Sequence, residues 1–144
     1  MSQHSSPDNS CLARIWREAW ASANPEVSTL APFEHWLERV QREFGPPNLV
    51  LVHRHDDRLV AFGVVDVNEA YLHQLHVSPS VQGEGIGGRL IGRVKELCPS
   101  GWALHVAASN ERAQRFYVRH GLTAGSTTLN PVTGRERIRY SWRP

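Results

Sequence analysis

Apolar side chains recur along this chain with two periods, and the change falls near residue 49. Ahead of it, Leu12, Ile15, Trp16, Ala19 and Trp20 stand at i, i+3, i+4, i+7 and i+8, which predicts a helix from about Ser10 that stops before Asn24-Pro25. Phe33, Trp36, Leu37, Val40 and Phe44 repeat the stripe, opened by Pro32 and closed by Gly45-Pro46. From Leu49 onward the spacing falls to two. Leu49–His53 and Leu59–Val67 predict strands joined through Asp56-Asp57, and Tyr71–Val77 predicts a third after an Asn68-Glu69 turn.

The helical period then returns twice. Leu90, Ile91, Val94 and Leu97 share one face, with Arg89, Arg93 and Glu96 opposite, so a helix begins at about Gly87. The run WALHVA, residues 102–107, reads as a short buried strand, and a strand, helix, strand order implies a right-handed crossover with at least one parallel pair. Ala113, Phe116 and Tyr117 mark a last helix, capped by Asn110 and ended by Gly121. Thr123–Leu129 and Arg137–Trp142 close the chain as a hairpin around Asn130-Pro131 and Gly134, with Ile138, Tyr140 and Trp142 on its buried side. The fold class is therefore α/β, with a mixed, mostly antiparallel sheet of about six strands and about four helices. Residues 1–9 are polar and expected to be disordered, leaving residues 10–144 as one domain.

Composition excludes several classes. No apolar run approaches the length of a membrane span, and MSQHSSPDNS lacks the apolar core of a signal peptide. Cys11 and Cys98 show no metal-ligand spacing, so no metal is expected and a reducing cytoplasm is the default compartment. Net charge is +2, but residues 1–78 hold 10 acidic and 6 basic side chains while residues 79–144 hold 4 and 10. The basic half suits an anionic cofactor, although solvated surface explains most single arginines. No nucleic-acid motif or aromatic interleaving accompanies that charge. Trp16, Trp20 and Trp36 could line an acceptor pocket, yet each falls on an apolar stripe, which makes core packing the plainer reading.

The densest chemical signal lies between the third strand and third helix. Gln82–Gly88 reads QGEGIGG, four glycines in seven residues. A helix start carries unpaired N–H groups and partial positive charge, and glycine lets a phosphate approach them. The bland alternative is a tight strand-to-helix turn that binds nothing. A phosphate-binding NTPase loop is excluded, because Arg89-Leu90 stands where that motif needs lysine and a hydroxyl. Gly83, Gly85 and Gly88 match a dinucleotide fingerprint literally, but the strand ends near Val77, several residues before the first glycine, and too little chain follows for a doubly wound fold.

The overlapping spacing Q-x-x-G-x-G at Gln82, Gly85 and Gly87, preceded by Leu75-His76-Val77-Ser78-Pro79, resembles the acetyl-CoA motif of the GCN5-related N-acetyltransferase (GNAT) family. Residues 109–122, SNERAQRFYVRHGL, resemble the family's second signature, with Leu122 in place of its usual Phe. The likeness covers about residues 48–142. It implies a GNAT-type sheet with a splayed parallel pair, acetyl-CoA as co-substrate, and acetylation of a primary amine on a small molecule or peptide by direct attack. The same fold without turnover, as an acyl-CoA-binding or sensing module, is the alternative.

Carried onto this chain, the resemblance places the pantetheine arm and thioester on the backbone of Leu75, His76 and Val77. It places the pyrophosphate on the amides of Gln82, Gly83, Glu84, Gly85, Ile86, Gly87, Gly88 and Arg89, with Asn110 and Phe116 beside the cofactor. Tyr117 matches the tyrosine that faces the CoA sulfur as proton donor; a buried packing tyrosine is the alternative. His73 is the candidate base, because imidazole exchanges protons near neutral pH and family arylalkylamine acetyltransferases carry a histidine there. Glu69, a water, or a merely solvated His73 remain open. No acceptor signature is present; the acidic N-terminal half is compatible with a cationic amine, and a homodimer is compatible with the family. Its usual first strand has no good counterpart in residues 1–9, so that sheet edge is expected to be missing or supplied by a partner.

Overall fold

In a computed structural model of the chain, describing residues 2–3 and 9–144, the change of period at residue 49 separates a helical layer from a seven-stranded sheet. Helices α1 (Asn9–Ala23) and α2 (Phe33–Glu43) come first, then β2 (Leu49–His55), β3 (Arg58–Asp66) and β4 (Tyr71–Val77). Helix α3 (Ile86–Leu97), β5 (Trp102–Ala107), α4 (Glu111–Arg119), β6 (Thr123–Leu129) and β7 (Glu136–Trp142) follow. Ser2–Gln3 forms β1, antiparallel to β2 at Val52 and Leu51. A first strand is therefore present, two residues long, and Asn9, also expected to be disordered, instead opens α1; the rest of that segment, residues 1 and 4–8, lies outside the described residues.

Strand order is β1-β2-β3-β4-β5-β7-β6, with β4 and β5 the parallel pair. The β2–β3 turn holds Asp56 and Asp57 at φ 53 and 65, the left-handed geometry of a two-residue hairpin that matches strand twist. β4 carries a bulge. Val64 faces Gln74 but Val65 faces Leu72, which leaves His73 as the extra residue and bends the strand. Only Tyr71 and Ala103 then pair across β4 and β5, and beyond them the strands part.

Each sheet face has its own apolar layer. On one side α3 sets Ile86, Leu90, Ile91 and Val94 against Leu72, Leu104 and Val106, with Tyr117 and Tyr140 in the same cluster. Full burial of Leu90 or Ile91 contributes roughly 1.5–3 kcal/mol each. On the other side α1 and α2 cover β2, β3 and the far end of β4 with Leu12, Ile15, Trp16, Trp36, Val40 and Phe44. Trp16 meets Trp36 edge-on at 5.3 Å and Phe44 at 5.2 Å, and Arg39 lies 4.5 Å over the Trp16 ring. Trp16 and Trp36 are core residues, 3% and 4% exposed.

His76 enters this second layer from β4. Its ring packs against Phe62 at 5.5 Å and Trp16 at 6.1 Å, and its Nε2 bonds the Gln74 Oε1 at 2.8 Å. Burial holds its pKa down at about 4. The folded protein thus refuses a proton that the unfolded chain accepts below about pH 6.5, so stability falls as pH drops from that value toward 4. Because the residue keeps some exposed surface, roughly 2 kcal/mol between pH 7 and pH 5 is a ceiling. Urea denaturation at the two pH values is expected to show the loss, and His76→Phe is expected to flatten it; an unchanged slope in the variant would remove His76 as its cause.

Candidate active site

Two helix starts in this chain are built differently. At α4 the Asn110 side chain accepts the Ala113 N–H at 3.1 Å. At α3 the cap position is Gly85, in the left-handed region at φ 78, and no side chain caps the turn. The first helical bond there is Arg89 N–H to the Gly85 carbonyl at 3.2 Å. The amides of Gly83, Glu84, Gly85, Ile86, Gly87 and Gly88 therefore donate to no acceptor among the described residues. Helix α2 also starts without a side-chain cap, at Pro32; what distinguishes α3 is that bare glycines flank its open N–H groups, so an anion can approach them closely.

The four loop glycines divide by purpose. Gly83 and Gly85 take positive φ, 89 and 78, with nothing near a would-be Cβ, so they shape the turn. Gly87 and Gly88 sit inside α3, where a Cβ would lie 3.0 Å from the Phe116 ring and 2.8 Å from the His120 ring. Those two let α4 close against α3, a packing requirement that spacing alone did not separate from phosphate approach. Gln82 anchors the loop by donating to the Val77 carbonyl at 3.1 Å, and its own Oε1 accepts from Arg112 at 3.0 Å. Arg112, absent from the sequence reading, thus brings a guanidinium beside the loop; Arg89 is exposed at the head of α3.

Next to the loop lies the gap between β4 and β5. Leu75 and Val77 turn their side chains to the α3 layer and His76 to the α1 layer, so only their backbone is offered to the gap. Tyr117 stands in the α3 layer, 7% exposed, with Phe116 at 5.1 Å and Tyr140 at 6.5 Å. Burial pushes its phenol well above the usual value, so it stays protonated at neutral pH. Its hydroxyl has no hydrogen-bond partner among the described residues, whereas the Tyr140 hydroxyl donates to the Gln114 Oε1 at 3.1 Å.

The opposite face of the gap carries the titratable groups. His73, exposed on the bulge, meets the Tyr71 ring edge-on at 4.8 Å, and the Tyr71 hydroxyl makes a short hydrogen bond with the His105 Nδ1. Burial raises the Tyr71 phenol against the pull of Arg137 and Arg139, while burial and those two guanidiniums lower His105. A cavity of about 270 Å³ opens beside His73, lined also by Glu43, Phe44, Asn48, Val64 and Gln74. Glu69 lies in the β3–β4 turn, exposed, with its backbone N–H on the Asp66 carboxylate at 3.1 Å. Tyr71 and His105 went unremarked as site residues because β5 pairs with β7 and barely with β4, a neighbourhood no local spacing reveals.

Known proteins resemble this chain in sequence and in fold. A sequence model of the acetyltransferase (GNAT) family matches residues 12–122. Uncharacterized N-acetyltransferases of Mycobacterium bovis and Mycobacterium tuberculosis are 30% identical over 89 residues, 57% of this chain and 57% of each relative. The match thus spans little more than half the length of those relatives. The fold is shared with a GCN5-related N-acetyltransferase of Rhodopseudomonas palustris, TM-score 0.81 at 15% identity over 99% of this chain and 94% of that one. It is shared also with the PaiA N-acetyltransferase of Thermoplasma acidophilum, solved in complex with coenzyme A, TM-score 0.76 at 20% identity over 100% of both chains.

The glycine assignment is testable through packing. Gly87→Ala is expected to cost about 1–3 kcal/mol by overpacking the Phe116 ring, and distinctly less in a Phe116→Leu background. A double-mutant cycle of thermal or urea denaturation measures the difference; strict additivity would contradict the contact.

Proposed function

The chain belongs to the acetyltransferase (GNAT) family, and on that footing we propose that it is an N-acetyltransferase moving the acetyl group of acetyl-CoA to a primary amine of a small molecule or peptide by direct attack. The carrying observation is the α3 start, where the amides of Gly83 to Gly88 have no acceptor of their own. Such a turn fits a diphosphate, and Gln82, Arg89 and Arg112 add polar and positive groups around it. The parted edges of β4 and β5 offer main-chain donors and acceptors for the pantetheine amides, with Leu75, His76 and Val77 on the β4 side and Asn110 and Phe116 on the α4 side. Cytoplasmic residence belongs to the same reading. Among the described residues no helix is long and apolar enough to cross a membrane.

Acetyl-CoA, when bound, supplies an activated acyl group on a departing thiol. The chain supplies the rest. Backbone N–H groups of β4 hold the thioester carbonyl and the negative charge that grows on it. His73 takes the proton lost by the amine nitrogen as the N–C bond forms, directly or through a water in the adjoining cavity. Tyr117 gives its proton to sulfur as the C–S bond breaks. A phenol held above its usual pKa is a weaker acid, but a thiolate in the same dry layer is short of water too and binds a proton more tightly. Glu69, in the turn and exposed, has the weaker position for the base role.

Calorimetry with CoA and a thiol-release assay with an amine panel test the reading. Saturable CoA binding with thiol release is expected; no heat would remove the assignment, and binding without turnover on any amine would leave the silent acyl-CoA module. Tyr117→Phe is expected to lower kcat by about 10²–10⁴ with CoA binding retained. His73→Ala is expected to lower kcat/KM more near pH 7 than near pH 9, where more of the amine is already neutral; equal loss at both would take the base role from His73.

A further inference from the structure

Resting on the acetyl-transfer reading, we propose that the acceptor is an anionic amine whose carboxylate or phosphate is held by Arg137 and Arg139 on the uncovered face of β5 and β7. Register places them there. Arg139 stands opposite His105 and Arg137 opposite Ala107, and directly paired residues share a face. Their neighbours Ile138, Tyr140 and Trp142 belong to the α3 side, so the arginines project to the other, where α1 packs mainly on β3 and β4. That is the face on which Tyr71, His73 and His105 meet.

Neither guanidinium forms an ion pair among the described residues, in contrast to Arg14, Arg39, Arg42 and Arg93, each of which meets a glutamate. Arg139 alone would pass for a solvated strand arginine. Arg137 does not, because its Nε is shut away from solvent and meets no acceptor. A buried charged donor without a partner costs free energy that a ligand oxyanion would recover, and the planar fork of arginine matches a carboxylate or phosphate with two parallel bonds. The positive field of the pair already reaches the Tyr71 hydroxyl and His105.

A cationic acceptor, with which the acidic N-terminal half is compatible, finds little to hold it. Glu18, Glu38 and Glu43 are spent on Arg14, Arg42 and Arg39 at 3.6, 2.6 and 2.7 Å, and Asp66 is buried against the Glu69 amide. Among these only Glu43 borders the cavity beside His73, and Arg42 bonds it as well, at 3.2 Å. Glu69, in the β3–β4 turn, has no ion pair among the described residues, but on the β5 and β7 side of the gap the unanswered charge is positive. Polyamines and aminoglycosides would meet repulsion there.

Matched amines test this in the thiol-release assay: phenylalanine against phenethylamine, and phosphoethanolamine against ethanolamine, with CoA calorimetry on the same preparation. The anionic member of a pair is expected to have at least about a tenfold higher kcat/KM, a difference of about 1.4 kcal/mol. Which pair shows the larger effect identifies carboxylate or phosphate. In Arg137→Gln/Arg139→Gln the preference is expected to vanish through a raised KM for the anionic member, with CoA binding unchanged. Equal or reversed preference, a preference that survives the double substitution, or failure of every anionic amine to react with or bind the CoA-loaded protein would overturn the inference. CoA binding retained in that case spares the acetyl-transfer reading; absence of CoA binding in the unsubstituted protein removes that reading itself.

Discussion

Two neighbouring parallel strands that pair at one point and then separate set the terms for everything else in this molecule. Past Tyr71 and Ala103, the sides of β4 and β5 that face each other run on without a ladder. Unpaired backbone groups inside a domain are costly unless water or a ligand meets them, so a sheet does not open in its middle by default. The opening is held from outside. β3 grips one wall along its length and β7 the other, and the His73 bulge turns β4 away where a straight strand would have stayed in register.

Around that gap the two apolar layers act as independent clamps. The α3 layer ties β4 to β5 from one side through Leu90, Ile91, Leu72 and Leu104, and brings Tyr117 and the uncapped α3 start to the same side of the opening. The α1 and α2 layer centres on β2 and β3 with α1 also on β4, which leaves the exposed Ala107 and Arg139 on the β5 and β7 side accessible to a second molecule. Cofactor-type chemistry and acceptor-type chemistry thus fall on opposite faces of one sheet. The phenol is buried and uncharged on the first; imidazoles and guanidiniums are partly wet on the second.

Most of the element boundaries were legible because each rests on local physics. Pro32, Asn110, Gly121 and the Asp56-Asp57 turn stop or start their elements where cap and turn chemistry says they should. The stripes also reported the burial of Trp16 and Trp36 correctly, while Trp20 is half-buried at the edge of the same layer. What spacing could not convey was long-range. Ser2–Gln3 is too short to carry a period, and the His73 bulge is set by pairing with β3 instead of by residue type. The split among the glycines depends on where Phe116 and His120 come to rest, and the meeting of Tyr71, His105 and Arg139 depends on strand order. Alternation did place Arg137 and Arg139 together on one face of a terminal strand; it could not say what that face would adjoin.

The central claim is that the unpartnered amides at the α3 start and the parted edge of β4 together receive one CoA molecule. Backbone ¹⁵N–¹H spectra recorded during a CoA titration test it residue by residue. The account predicts that the amide signals of Gly83 to Gly88 move with the largest amplitudes, that those of Leu75 to Val77 move with the same saturation curve, and that the β6–β7 turn around Asn130 stays still. Saturation that shifts other residues while leaving the Gly83 to Gly88 amides unmoved would contradict it.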